Sequence, residues 1–194
     1  MITAKIIIGI IASVIGIFCF IPYFRDIFRH KTKPHIYTWL IWSLLQGTSV
    51  VIMFYNGAGI GILPFIIGTT LCGSIFLLSF KYGTKNITPF DTVCLIGALV
   101  ALIFYILLDN PMVSIVLVSL IDFIGFIPTF RKSYIEPNTE TASTYLLSAI
   151  SSVLAIGAFL NYSLIIVLYP LTVVLTDMIC WFIIILRRKK LDIL

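Results

Sequence analysis

Charged side chains are scarce in this sequence. Lys, Arg, Asp and Glu make up only 11% of its 194 residues, whereas 60% of the residues are hydrophobic. A soluble core of this size does not require so apolar a composition, which is typical of a chain that folds in lipid. We therefore expect a membrane protein. The net charge of +5 then reflects where the basic residues lie, and no nucleic acid is expected among the partners.

Cysteine and histidine are also rare. The four cysteines lie in apolar runs without paired spacing, which argues against a disulfide framework or a zinc site. The two histidines share one short basic loop that offers no further ligand residues at a suitable spacing. The sequence also lacks an HExxH motif, a Ser-His-Asp arrangement and a carboxylate pair suited to hydrolysis. We expect no metal, no cofactor and no enzymatic activity.

Long apolar runs are abundant instead. A membrane-spanning helix needs about 20 mainly apolar residues, because each adds about 1.5 Å across a hydrocarbon core of roughly 30 Å. Seven stretches meet this requirement. The predicted spans are 6–24, 36–55, 59–80, 92–108, 112–130, 143–160 and 164–186. The first is expected to be retained, since it has no Ala-x-Ala-like cleavage site.

Basic residues occur almost entirely in every second connection and at the C-terminus, while Lys5 stands alone on the other side. By the positive-inside rule, this asymmetry predicts an external N-terminus and a cytoplasmic C-terminus, in a multi-pass protein of the cytoplasmic membrane. An odd number of spans agrees with that orientation. The residues on the basic side are Arg25, Arg29, Lys31, Lys33, Lys81, Lys85, Arg131, Lys132, Arg187, Arg188, Lys189 and Lys190.

The chain contains an internal repeat. The segment FIPYFR at 20–25 recurs as FIPTFR at 126–131, and the same shift pairs Pro64 with Pro170. Matched prolines in two pairs of apolar helices indicate copied helix geometry, because proline removes a backbone hydrogen bond and bends the helix.

Three spans make up each copy, so a fourth span is needed to bring the second copy into the membrane in the same orientation as the first. The predicted fold is therefore an all-α membrane protein with two parallel three-helix bundles joined by a linker helix. The predicted units are 1–81 for the first repeat, 82–110 for the linker loop and fourth helix, and 111–194 for the second repeat with its basic tail. Parallel repeats about an axis along the membrane normal are typical of transporters.

This order of three helices, a linker and three helices, with Phe-x-x-x-Phe-Arg around a proline at the end of spans one and five, resembles the SWEET and PQ-loop superfamily over essentially the whole chain. The resemblance implies a small-solute transporter that works by alternating access, with Pro22 and Pro128 as hinges and the solute held between the bundles. Tyr23 and Thr129 stand where the PQ-loop signature has glutamine. Vitamin carriers of the PnuC type share the architecture and remain an alternative to sugar transporters.

A layer of polar residues is expected near the membrane midplane. Gln46 and Ser152, which the repeat pairs, both lie roughly 15 Å from the basic ends of their spans. Thr70 and Thr176 are expected at a similar depth. Trp42 precedes Gln46 by four residues and shares its helix face, as suits a ring-stacking contact. The layer predicts a binding site for a small, mostly neutral solute such as a sugar.

Asp122 and Asp177 are the most conspicuous of these polar residues. A carboxyl group at the centre of a membrane helix costs about 2.5 to 3.5 kcal/mol on insertion scales and is usually functional. Both are candidates for proton coupling, and Asp177 is also a candidate for substrate binding. The alternative is a structural acid that bonds to a hydroxyl group of a neighbouring helix.

Three further residues have two interpretations each. Arg25 and Arg131 follow the hinge prolines, where they are either a gate that pairs with Asp26, Glu136 or Glu140 or simple topology charges. Trp39 is either an aromatic wall of a ligand pocket or an anchor of its helix at the membrane interface, and we expect the anchor. For the whole protein, the alternative to a transporter is a receptor or assembly factor that acts through its cytoplasmic loops. The lipid bilayer and a small solute are the expected partners, and a homo-oligomer is compatible with both functions.

Overall fold

The computed structural model describes residues 2–107 and 110–191, without the side chains of Ala98, Ala101, Tyr105 and Ile106. The described residues form seven α-helices and two short 3₁₀ turns, Gly59–Ile62 and Pro137–Thr139. The helices are α1 Ile2–Phe28, α2 Ile36–Tyr55, α3 Leu63–Tyr82, α4 Pro89–Leu107, α5 Pro111–Ile135, α6 Ala142–Ala158 and α7 Leu164–Leu191.

Five of these described helices are long and apolar enough to cross a membrane, as expected of a multi-pass membrane protein. They are α1, α2, α3 together with the turn before it, α5 and α7. The other two, α4 and α6, are shorter apolar helices. Helices α1, α5 and α7 continue past the predicted ends of their spans, because helical hydrogen bonding does not stop where the apolar run does. The predicted end of the fourth span, at 108, lies outside the described residues.

Local sequence explains where α5 begins and how the chain turns between α2 and α3. Asn110 caps α5, because its side-chain oxygen accepts hydrogen bonds from the backbone N–H groups of Met112 and Val113 at 3.1 and 3.2 Å. Pro111 follows at the first helical position, where no N–H is needed. Between α2 and α3 the chain turns through Gly57 and Gly59, whose φ angles of 75° and 73° favour glycine.

The helices pack in a pattern that repeats. Helix α3 contacts both α1 and α2, and α7 likewise contacts both α5 and α6. Across the middle of the molecule, α1 packs against α6 and α2 packs against α5. The contacts are equivalent in pairs when α1, α2 and α3 are matched with α5, α6 and α7. For example, the contact between α1 and α6 corresponds to the contact between α5 and α2. Helix α4 lies against α5 and α2. We call α1–α3 the first half and α5–α7 the second half.

The buried apolar residues form two clusters along the bundle. One includes Met53, Ala58 and Phe159, close to Lys5, and we call this side the Lys5 end. The other includes Tyr23 and Ile27, near the C-terminus of α1. We call that side the basic end, because most Lys and Arg residues lie there. The two halves therefore meet at both ends, with a polar region between the clusters.

Candidate functional site

A cavity of about 60 Å³ lies between the two halves, where the two apolar clusters meet. This exceeds the space that one water molecule needs. Helices α1, α2 and α3 of the first half and α5, α6 and α7 of the second all supply lining residues. The polar lining residues include Gln46, Asp122, Ser148, Ser152 and Asp177.

The structure brings four of the six predicted substrate residues to this cavity. Trp42 and Gln46 line it from α2, Ser152 lines it from α6, and Asp177 lines it from α7. The amide of Gln46 packs over Gly68 of α3, where an added Cβ atom would lie 2.7 Å from the Gln46 oxygen. Glycine at this position therefore leaves room for the Gln46 side chain beside the cavity.

Thr70 and Thr176 are placed differently. The hydroxyl group of Thr70 donates to the Ile66 carbonyl at 3.2 Å, and the residue is exposed on the outer surface of α3. Thr176 is buried, but its hydroxyl group donates to the Thr172 carbonyl of its own helix at 2.9 Å. Neither is among the residues that line the cavity. Counting along a helix gives the depth of a residue, whereas the face that it occupies depends on how the helix packs.

The two membrane carboxyl groups reach the same cavity, although they come from different helices. Asp122 is 1% exposed and Asp177 is 5% exposed. Asp122 Oδ1 lies 3.5 Å from the hydroxyl group of Tyr169, a long hydrogen bond. In each residue the Oδ2 atom is buried without a hydrogen-bond partner among the described residues. Both acids therefore retain acceptor capacity at the cavity.

Aromatic rings form much of the cavity wall on the side of the basic end. The Trp42 ring lies 4.3 Å from the Phe126 ring and 6.5 Å from the Tyr145 ring, measured between centroids. The indole N–H of Trp42 is buried without a partner in the described part of the chain. The wall thus offers ring faces and an unused donor to a bound molecule.

Trp39 is not an interface anchor. It is 3% exposed, lines the cavity and donates its indole N–H to the hydroxyl group of Tyr23 at 3.2 Å. The interpretation from sequence was wrong because an aromatic residue close to a helix end can face a neighbouring helix as well as the lipid. Here the side chain faces inward, where Tyr23 supplies an acceptor.

A buried polar network closes the basic end between the halves. Glu140 lies before α6 and is 3% exposed. Its carboxylate accepts hydrogen bonds from Tyr23 of α1 at 3.3 Å and from Tyr145 of α6 at 3.0 Å. Lys132 of α5 donates to the same carboxylate at 2.5 Å and to the carbonyl groups of Lys33 and Thr139. We call this set, with Glu140 at its centre, the Glu140 network.

The two candidate gate arginines pair with acids, but not with Glu140. Arg25 bonds to its neighbour Asp26 at 2.9 Å and is half exposed. Arg131 bonds to the buried carboxylate of Asp91 at 3.0 Å, at the start of α4. His35 also contacts Asp91, at 3.3 Å. Burial lowers the pKa of His35 below its ordinary value of 6.5, so the ring is neutral at neutral pH.

The candidate hinges, Pro22 and Pro128, lie inside α1 and α5, one turn before the gate arginines. The residues that follow the prolines make contacts with other helices or loops. Tyr23 bonds to Glu140, and the hydroxyl group of Thr129 donates to Thr38 of α2 at 3.2 Å. Each proline is therefore followed by a side chain that connects one half to the other.

No family model, curated protein or solved structure matches this chain. The internal repeat, the cavity and the contacts at the two ends are therefore the features that bear on function.

Proposed function

We propose that the chain is a small-solute transporter of the SWEET and PQ-loop type. In this proposal seven helices span the cytoplasmic membrane, with the N-terminus outside and the C-terminus inside. Residues 1–81 and 111–194 form two parallel three-helix bundles, and α4 is the linker helix. The contact between α1 and α6 corresponds to the contact between α5 and α2, as expected of two related bundles that face each other. This correspondence supports the proposed arrangement.

The observation that carries the proposal is the cavity between the halves. Buried polar atoms normally have hydrogen-bond partners, yet four residues that line this cavity each hold an atom without one among the described residues. The residues are Trp42, Asp122, Thr144 and Asp177. A bound polar solute would supply those partners. A purely structural core would gain nothing by leaving them unpaired.

Alternating access requires that one end of the interface opens while the other stays closed. At the basic end, most polar contacts between the halves are hydrogen bonds of side chains, which water can replace when the bundles separate. Pro22 and Pro128 each precede one of the connecting side chains, so bending at these points would move Tyr23 and Thr129 away from their partners. Arg25 and Arg131 lie one turn further out and would move with them.

The first test is a thermal-shift screen of the purified protein against sugars, nucleosides, vitamins and amino acids. A ligand at 100 times its dissociation constant adds about 2.7 kcal/mol to stability. We expect a stabilising ligand whose effect is lost in Gln46→Ala and retained in Thr70→Val, the matched substitution on the outer surface. Uptake of the same solute into liposomes then tests transport directly.

The competing function, a receptor or assembly factor, makes the opposite prediction. Its activity would survive loss of the polar cavity residues and would depend on the charged loops at the basic end. If no solute in the screen stabilises the protein and the reconstituted protein takes up none of them, that function would be favoured. Proton coupling is tested separately by imposing a pH gradient on the liposomes. An Asp177→Asn variant that keeps full pH-dependent uptake would remove Asp177 from proton coupling.

A further inference from the structure

The cavity contains acids but no base. Asp122 and Asp177 line it, and none of the described lining residues is Lys, Arg or His. A buried acid usually has a positively charged or hydrogen-bonding partner, because leaving it unpaired in a medium of low dielectric constant is unfavourable. Neither acid has a positively charged partner among the described residues, and although Tyr169 donates a long hydrogen bond to Asp122 Oδ1, the Oδ2 atom of each acid has no partner there.

Among the described residues, the buried ammonium group is that of Lys132, and it is committed elsewhere. Lys132 lies at the basic end, and its Nζ atom already donates to Glu140 and to the carbonyl groups of Lys33 and Thr139. A lysine ammonium group has three donors, so none remains for the cavity. At the opposite end, the amine of Lys5 donates to the Phe159 carbonyl. Neither lysine therefore pairs with Asp122 or Asp177.

The aromatic wall suits a cation as well. Trp42, Phe126 and Tyr145 come from three different helices and present rings on one side of the cavity. The faces of such rings attract a cation that lies within about 6 Å of the ring centroid, most strongly for Trp. Acids from α5 and α7 line the same small space, so a positive group inside it would contact both kinds of partner.

A second requirement comes from the indole N–H of Trp42, which has no partner in the described structure although the residue is 7% exposed. This group only donates hydrogen bonds. A ligand that satisfies it must carry an acceptor such as a hydroxyl, ether or carboxylate oxygen, in addition to its positive group.

Resting on the proposed transport function, we infer that the cavity binds a small organic cation, an ammonium-bearing solute that also carries a hydrogen-bond acceptor. Asp122 and Asp177 contact the ammonium group, Trp42 donates to the acceptor, and the rings of Trp42, Phe126 and Tyr145 cover the carbon skeleton. The sequence alone favoured a mostly neutral solute. The combination of two acids, no base and an aromatic wall changes that expectation.

The test compares solutes of the same shape that differ in charge. The full-length protein in detergent is incubated with ethanolamine or ethylene glycol, with glucosamine or glucose, and with choline or the alcohol in which tert-butyl replaces its trimethylammonium group. We expect at least one ammonium compound to raise the melting temperature while its neutral counterpart does not. Asp122→Asn and Asp177→Asn should each weaken its binding at least about tenfold, as expected when a charged hydrogen bond is lost.

Glu136→Gln is the matched control, since it also changes an acid to an amide but lies in the loop before α6, away from the cavity. It should bind the ammonium compound as the unsubstituted protein does. If a cavity variant does not fold, the comparison between charged and neutral solutes on the unsubstituted protein still tests whether the cavity binds a cation.

Two results would overturn the inference. Equal or better stabilisation by the neutral members would exclude a cation site while leaving the transport proposal intact, and uptake of the neutral solute into liposomes would then confirm transport. Stabilisation by no ammonium compound would also reject the cation. The transport proposal itself fails only if, in addition, no solute in the broader screen stabilises the protein and the liposome assay detects no uptake.

Discussion

The two ends of the interface between the halves are held closed in different ways. At the basic end, the polar contacts are mainly those of side chains grouped around Glu140, Asp91 and Thr141, with one backbone hydrogen bond from the Lys33 N–H to the Thr139 carbonyl at 3.2 Å. At the Lys5 end, backbone groups meet directly, since the Leu160 N–H donates to the Ala58 carbonyl at 3.0 Å. Gly61 packs there against Phe159 and Ala155. Polar side chains can exchange partners with water, whereas close backbone packing opens only when the helices separate.

The largest effect is expected from Lys132→Met, which breaks the Glu140 network. Removing one member of a buried ion pair leaves the other charge uncompensated and costs about 3–5 kcal/mol of stability. Unfolding of the purified protein in detergent measures the loss. The double variant Lys132→Met/Glu140→Gln should recover much of it, because no unpaired charge remains. A single variant as stable as the unsubstituted protein would show that the network does not hold the basic end closed.

Tyr23→Phe should be next in size. The hydroxyl group of Tyr23 donates to Glu140 and accepts from Trp39, so its removal breaks a bond to a charged group and leaves the indole N–H unpaired. A loss of about 1.5–3 kcal/mol is expected. Tyr145→Phe breaks only the bond to Glu140 and should cost less. Equal losses in the two variants would contradict the assigned role of Tyr23 as the connection between Trp39 and Glu140.

At the Lys5 end, the stability of the protein should depend more on side-chain volume than on side-chain polarity. A Cβ atom added at Gly61 would lie 2.7 Å from the Ala155 carbonyl oxygen. Gly61→Ala is therefore expected to cost about 1–3 kcal/mol through overpacking. Gly97→Ala is the control, since no heavy atom of the described residues outside its own helix backbone lies within 4 Å of the added Cβ atom. That variant should lose no stability and gain up to about 1 kcal/mol, because alanine has the higher helix propensity. Similar losses in both variants would argue against close packing at Gly61.

The smallest effect concerns pH. Since burial lowers the pKa of His35 in the folded state, the unfolded chain binds more protons as the pH falls below 6.5. Stability should therefore be constant above that pH and fall below it, by at most about 1.4 kcal/mol per pH unit for one proton. The charged groups near His35 are Asp91, Arg131 and Lys132. Melting temperatures between about pH 7.5 and about pH 5.5 measure the slope, and His35→Gln should flatten it.

Hydropathy predicted the positions of the seven described helices because it depends on residue type alone. Depth along a span could also be counted, which is why Gln46, Ser152, Asp122 and Asp177 were expected near one another and do line one cavity. The face of a helix could not be counted in the same way. Thr70 was therefore expected in the same layer as Gln46 but lies on the outer surface of α3.

The Glu140 network was missed for a different physical reason. Lys132 stands beside Arg131 in the sequence, and in an apolar chain such residues are expected to be exposed charges that fix orientation. Helix α5 continues to Ile135, beyond the predicted span. This extension places Lys132 beside the loop that contains Glu140, where the two side chains form a hydrogen bond. An acid eight residues after the lysine was the available indication of a pair. Only tertiary packing shows that both are buried.

The saturated ammonium group of Lys132 has a practical consequence. All three of its donors are occupied and its side chain is 1% exposed, so an amine-reactive reagent added from water would not modify it while the basic end is closed. Exposed lysines such as Lys31 would be labelled at once. The rate at which Lys132 is acylated would then report how often the two halves separate. This measurement does not require the bound solute to be identified.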